Sequence, residues 1–135
     1  MKLILKKPNI SDYLSLRERA GTGDKNPNRA EIALQNSLLT VCMYDKDLLI
    51  GFGRVVGDGG ITYIISDIMV DKNYHRRGYA TQIMDEINKF LNKNTHEDSY
   101  VCLIAVSPAD NLYNRYNFEY LPDQKCGMVR NQKKI

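Results

Sequence analysis

The chain has 135 residues, enough for one domain with a real core and too few for a second folded unit beside it. Apolar residues make up 43% and charged residues 26%, which excludes disordered, collagen-like and repeat architectures. A net charge of +3 with no stripe of alternating basic and aromatic residues argues against a nucleic-acid binder, and no apolar run approaches the roughly 20 residues of a membrane span.

The opening MKLILKKPN lacks the apolar core of a signal peptide, so a cytoplasmic protein is expected. Cys42, Cys102 and Cys126 are odd in number and widely spaced, which predicts reduced, mostly buried thiols.

Residues 2–6 alternate as a first strand, closed by Pro8. Asn9 with Asp12 three residues on predicts the start of a helix that stops at Gly21. The turn-rich GTGDKNPN, 21–28, follows, and Asn28 with Glu31 predicts a second cap and a helix ending near Asn36. LTVCMY and LLIGFGRVV then read as a hairpin around Asp45, Lys46 and Asp47, and a turn at 57–60 leads to a third strand, TYIISDIMV, 62–70. These three strands form an antiparallel meander, the centre of the sheet.

Past Tyr74 the apolar period switches from two to 3.6, with Ala80, Ile83, Met84, Ile87 and Leu91 on one face of an amphipathic helix. The near-continuous apolar run 100–106 predicts a strand covered on both faces, completing a strand–helix–strand crossover. After Pro108 a short helix runs to about Tyr116, and FEYL with KCGMVR predicts a final hairpin. The expected fold is α/β (α+β): a mixed, mostly antiparallel central sheet flanked by helices, in the order βααβββαβαββ, as a single domain over 1–135.

The segment DIMVDKNYHRRGYATQIM, 67–84, carries the chemistry. A helix N-terminus presents unpaired N–H groups and partial positive charge, so its first turn normally attracts Asp or Glu. Here His75, Arg76 and Arg77 precede the helix instead, an arrangement that suits an external anion such as a phosphate. Gly78, lacking a Cβ, lets the backbone approach such a ligand. The bland alternative is a solvated arginine pair with a glycine that eases a turn.

HisArgArgGlyTyrAla, 75–80, resembles motif A of the GNAT superfamily of acyl-CoA-dependent N-acetyltransferases, whose loop reads Gln/Arg, x, x, Gly, x, Gly/Ala. LeuTyrAsnArgTyrAsnPhe, 112–118, resembles the family's second signature, a short helix followed by Gly-Phe. Two departures stand out: His75 replaces the usual Gln or Arg, and Asn117 replaces the glycine, a position Asn tolerates through its ease at positive φ.

The resemblance implies acetyl-CoA as cosubstrate, its pyrophosphate held by the amides of Arg76, Arg77, Gly78, Tyr79, Ala80 and Thr81, with His75 opening the loop. It further implies that the backbone of Ile68, Met69 and Val70 pairs with the pantetheine arm, that Asn111 touches CoA, and that Tyr113 is the acid or hydrogen-bond donor to the thiolate. The acceptor implied is the primary amine of a small molecule, attacking directly in a ternary complex. Asp67 is a candidate base or a structural hydrogen-bond partner, water is an alternative base, and Asp24 and Asp58 are candidates to attract an ammonium group. No metal, nucleic-acid or membrane partner is expected, and a homodimer is left open. The alternatives are a non-catalytic CoA-binding regulatory module and a protein-lysine or N-terminal acetyltransferase.

Overall fold

A computed structural model describes residues 1–134. Its contacts divide the chain into two compact units, Met1–Leu103 and the remainder from Ile104. In the first unit, β1 (Lys2–Ile4) pairs antiparallel with β2 (Leu39–Asp45), β2 with β3 (Leu48–Gly57), and β3 with β4 (Thr62–Val70), whereas β5 (Tyr100–Cys102) joins β4 in parallel. The five strands therefore lie in chain order, antiparallel except at the last pairing. This is the mixed, mostly antiparallel sheet the sequence predicts.

Helices α1 (Ile10–Ala20) and α2 (Pro27–Gln35) cover one face of the sheet, where Tyr13, Leu16, Ala30 and Leu34 pack with Phe52 and Met69. The opposite face takes α3 (Tyr79–Asn94), which buries Ile83, Met84, Ile87 and Leu91, four of the five apolar positions expected on that face. Full burial of each such side chain stabilises the fold by about 1.5–3 kcal/mol. Gly53 is what lets α3 come close, since a Cβ there would lie 2.6 Å from Ile68 and 2.8 Å from Ile83.

The helix starts differ in one respect. Asn9 caps α1 as predicted, its side chain accepting from Asp12 N–H at 2.8 Å. The cap of α2 is Asn26, not Asn28, because Pro27 takes the first helical position, where its fixed φ is preorganised and its missing N–H costs nothing.

The second unit contains α4 (Asp110–Asn114) and a short 3₁₀ turn, Gln132–Lys134. Two expectations fail here. The strand predicted over 100–106 ends at Cys102, leaving Ile104 and Val106 exposed, and the hairpin predicted from FEYL and KCGMVR does not form. Among the described residues the order is therefore βααβββαβα, without the final two strands. The apolar pattern of these segments is genuine, but strands need a ladder partner, and β propensity alone provides none. Of the thiols, Cys42 is buried, Cys102 half-buried and Cys126 exposed, so burial holds for one in full.

Candidate active site

The centre of the site is a break in the β3–β4 ladder. Between the pairs Phe52↔Met69 and Arg54↔Ser66, β3 advances by two residues and β4 by three, so Asp67 and Ile68 together oppose Gly53. This is a β-bulge, and Asp67 takes the extra turn at φ 58°, a left-handed conformation uncommon outside glycine. A bulge bends its strand and re-aims the groups that follow it.

Beyond the bulge the edge of β4 away from β3 lies open. β5 pairs only with Thr62–Ile64, so from Ile65 to Val70 this edge has no ladder partner among the described residues. Asp71 N–H donates to the Ile50 carbonyl at 2.8 Å, which puts Asp71 and, two residues back, Met69 at positions whose backbone groups face β3. Met69 therefore spends its N–H and C=O inside the sheet, and the outward groups are those of Ile68 and Val70, which alternate with it. Of the three strand-end residues named from the resemblance, only these two can offer a backbone partner to a ligand.

Asp67 is held by three side chains. Tyr13 Oη donates to it at 2.7 Å, Arg54 Nε at 2.8 Å and Arg17 Nη1 at 3.1 Å. Burial pushes its carboxyl pKa up, but the hydrogen bonds from Tyr13 and Arg54 and the charges of Arg54 and Arg17 outweigh it, and the net shift is downward. A carboxylate so engaged is a poor proton acceptor, so of its two sequence-level roles the structural one holds. Arg17 also donates to the carbonyls of Gly23 and Thr22 at 2.8 and 2.9 Å, and Thr22 Oγ1 lies 3.5 Å from Met69 Sδ. The α1–α2 loop is thereby fastened over the bulged strand.

From Val70 the chain enters a 3₁₀ turn, Lys72–Tyr74, capped by the buried Asp71, which accepts from Asn73 N–H at 2.8 Å and pairs with Arg19. Tyr74 donates its hydroxyl to Asp45 at 2.7 Å, tying the turn to the β2–β3 hairpin. The guanidinium of Arg77 sits over the Tyr74 ring, 5.3 Å from its centroid. His75 Nε2 lies 2.8 Å from the Val70 carbonyl, which requires the proton on that nitrogen. Arg76 is left-handed at φ 63° and Gly78 at φ 80°, and Gly78 stands at the N-cap of α3 with no side-chain cap and no acidic residue in the first turn.

The loop expected at 75–81 is thus present as a strand–turn–helix, with its three basic residues exposed and the helix start open. In the second unit Tyr113 is buried on α4, its ring edge-on to Phe118 at 6.4 Å, and burial raises its pKa. Asn111, on the same helix, is exposed. Asn117 adopts φ 68°, the conformation that a glycine in its place would supply. Asp58 lies exposed in the turn after β3, where its Oδ1 accepts from the N–H groups of Gly60, Ile61 and Thr62 at 2.8, 2.8 and 3.1 Å. Asp24 lies exposed in the α1–α2 loop. Among the described residues no cluster of His, Cys, Asp and Glu could hold a metal ion, and no helix is long and apolar enough to cross a membrane.

The residues that sequence reasoning left out are Tyr13, Arg17 and Arg54. Their signal was faint: Ser66 and Asp67 interrupt an apolar strand, and Gly53–Arg54 interrupt another.

Comparison with known proteins places this geometry. A family model for the acetyltransferase (GNAT) domain matches residues 35–120. A probable acetyltransferase of unknown function from meticillin-resistant Staphylococcus aureus superposes with a TM-score of 0.91 at 42% identity, covering 96% of this chain and 98% of its own. Glucosamine-6-phosphate N-acetyltransferase from Arabidopsis thaliana shares the fold with a TM-score of 0.70 at 12% identity, over 98% of this chain and 99% of its own. The ribosomal-protein-S18-alanine N-acetyltransferase of Escherichia coli does so with a TM-score of 0.72 at 15% identity, over 90% and 80%. A search of curated protein sequences gives no match. With a bulged, open-edged β4 feeding an uncapped helix, and with a family model matched over most of its length, the chain belongs to the GNAT acetyltransferases.

Proposed function

We propose that this protein transfers the acetyl group of acetyl-CoA to the primary amine of a small molecule. The observation that carries the reading is the continuity of three features: the bulge at Asp67–Ile68, the open edge of Ile68 and Val70, and the uncapped start of α3 behind three basic residues. GNAT domains draw their acetyl group from acetyl-CoA. A pyrophosphate set against the amides of residues 76–81 would lie at the positive end of the α3 dipole. The pantetheine arm would then run along the open edge as a short added strand. To pair at the Val70 carbonyl it must displace or share the His75 hydrogen bond.

In this reading the amine nitrogen attacks the thioester carbon, the outward N–H of Ile68 supports the oxygen as it gains charge, and the C–S bond breaks. One proton passes from the amine to water, because the Asp67 carboxylate is committed to Tyr13, Arg17 and Arg54. Tyr113, with its pKa raised by burial, donates a hydrogen bond to the departing sulfur and does not surrender its proton outright. A small acceptor is favoured because the α1–α2 loop is fastened down over β4 by Arg17 and Thr22, which suits a covered acceptor site better than an open polypeptide groove. Chains of this fold include a glucosamine-6-phosphate N-acetyltransferase and a ribosomal-protein-S18-alanine N-acetyltransferase, so the loop and not the fold supports this part of the reading.

The test is thiol release from acetyl-CoA with a panel of amines, amino acids and lysine-containing peptides, with products identified by mass spectrometry. Acetylated small amines are expected. Acetylation of peptides alone, or no thiol release with any acceptor, would overturn the reading.

A further inference from the structure

Arg54 is only partly spent within the protein. Its Nε donates to Asp67 at 2.8 Å and its Nη1 to Ser37 Oγ at 3.3 Å, while Nη2 has no partner among the described residues. Arg17, by contrast, distributes its donors among Gly23, Thr22, Tyr13 and Asp67. The cluster thus sets two guanidiniums against one carboxylate, an excess of one positive charge. The Arg54 and Asp67 side chains are each 16% exposed, so this charge is largely withdrawn from water. No fully buried side-chain nitrogen or oxygen among the described residues lacks a partner, which means that the free Nη2 edge reaches solvent.

The position matters as much as the charge. Arg54 opposes Ser66 in the ladder, next to the bulge, and its side chain meets Asp67 on the face that α1 and α2 cover. A planar guanidinium with an unspent pair of donors, poorly hydrated and fixed on one side by a carboxylate, is built to receive an oxyanion.

We propose that Arg54 binds an anionic group on the acceptor, so that the substrate is a primary amine carrying a carboxylate or phosphate a few bonds from its nitrogen. This rests on the acetyl-transfer reading above and narrows it. The amine would point to the bulge while the anion neutralises the surplus charge of the cluster. A neutral amine of equal size leaves that charge uncompensated.

The experiment compares matched pairs with acetyl-CoA: an amino acid against its carboxamide, and an amino-sugar phosphate against the unphosphorylated amino sugar. The wild-type protein is expected to favour the anionic member of at least one pair by roughly 10- to 100-fold in kcat/KM, mostly through KM. Which pair responds identifies the anion as carboxylate or phosphate. Arg54→Lys keeps a charge beside Asp67 but loses the fork, and is expected to collapse the ratio in a protein whose circular dichroism and melting remain those of a folded chain. Should the lysine variant not fold, the wild-type ratios still decide. Equal or inverted preference in both pairs would overturn the proposal while leaving acetyl transfer intact. No thiol release with any amine would overturn both together.

Discussion

At Gly78 the backbone is left-handed, at φ 80°, and the space where a Cβ would stand holds no protein atom within 4 Å. A side chain there meets no clash inside the protein, yet it would project where the proposed pyrophosphate approaches the amides. Gly78→Val is therefore expected to remain folded, at a cost of about 1–2 kcal/mol for the left-handed conformation, and to weaken acetyl-CoA binding by well over tenfold. Calorimetry on the folded variant checks this, and undiminished affinity would remove the loop from the site. Tyr113 poses the complementary case. Burial holds its phenol protonated through the ordinary working range, so its use is as a standing donor. Tyr113→Phe is expected to lower kcat by roughly 10- to 1000-fold with CoA affinity little changed, as for the loss of one transition-state hydrogen bond. Steady-state rates beside a CoA titration separate the two effects, and unchanged rates would assign the proton to water.

At the scale of elements, the turn between β4 and α3 is fixed from two sides: Asp71 is paired with Arg19 of α1, and Tyr74 is hydrogen-bonded to Asp45 at the end of β2. The Tyr74 ring in turn underlies Arg77, which would otherwise be free to sample solvent. Tyr74→Phe keeps the ring and loses the hydroxyl bond, whereas Tyr74→Ala loses both. If the stack positions Arg77 for a phosphate, alanine should weaken CoA binding about 3- to 10-fold, as for a contact of about 1 kcal/mol, and phenylalanine distinctly less. Titrations at low and moderate salt test this, since equal losses in the two variants would give the role to the hydroxyl bond.

The same elements show what could be read beforehand. The meander and α3 were legible because alternation of period two and an apolar stripe of period 3.6 are local patterns, and every residue of each pattern lies within one element. Asn9 was legible as a cap for the same reason. Asn26 was not, because two Asn residues flank Pro27 and only the proline's preference for the first helical turn decides between them. The missing C-terminal hairpin is the opposite error: FEYL and KCGMVR carry β propensity, but no local pattern says whether a partner strand exists. Within the site, the loop 75–81 could be found from residue types alone, whereas the bulge could not. It depends on a register shift against Gly53 and on arginines 50 and 13 residues from Asp67, whose pairing is visible only in three dimensions.

Taken across the first unit, the Asp67 cluster joins α1, the loop after it, β3, β4 and, through Arg54 and Ser37, the segment that follows α2. Its contribution to stability has a definite dependence on pH. The folded pKa of Asp67 lies below that of the unfolded chain, so the stabilisation is complete above the unfolded value of about 4 and disappears as the pH falls through the folded value. Asp67→Asn retains the shape and some hydrogen bonding but leaves Arg17 and Arg54 facing each other without the shared counter-charge. Loss of a partner from a fully buried pair costs about 3–5 kcal/mol, and the partial exposure of these side chains reduces that to about 2 kcal/mol. Urea unfolding should therefore place the variant well below the wild type at pH 7. At pH 3, below the unfolded value of about 4, the gap should narrow, because the unfolded chain takes up the proton that the folded Asp67 carboxylate resists and the wild type loses part of the same stabilisation. A gap of equal size at both pH values would mean that the loss at Asp67 is one of packing and hydrogen-bond geometry, with the ion pairs contributing nothing measurable.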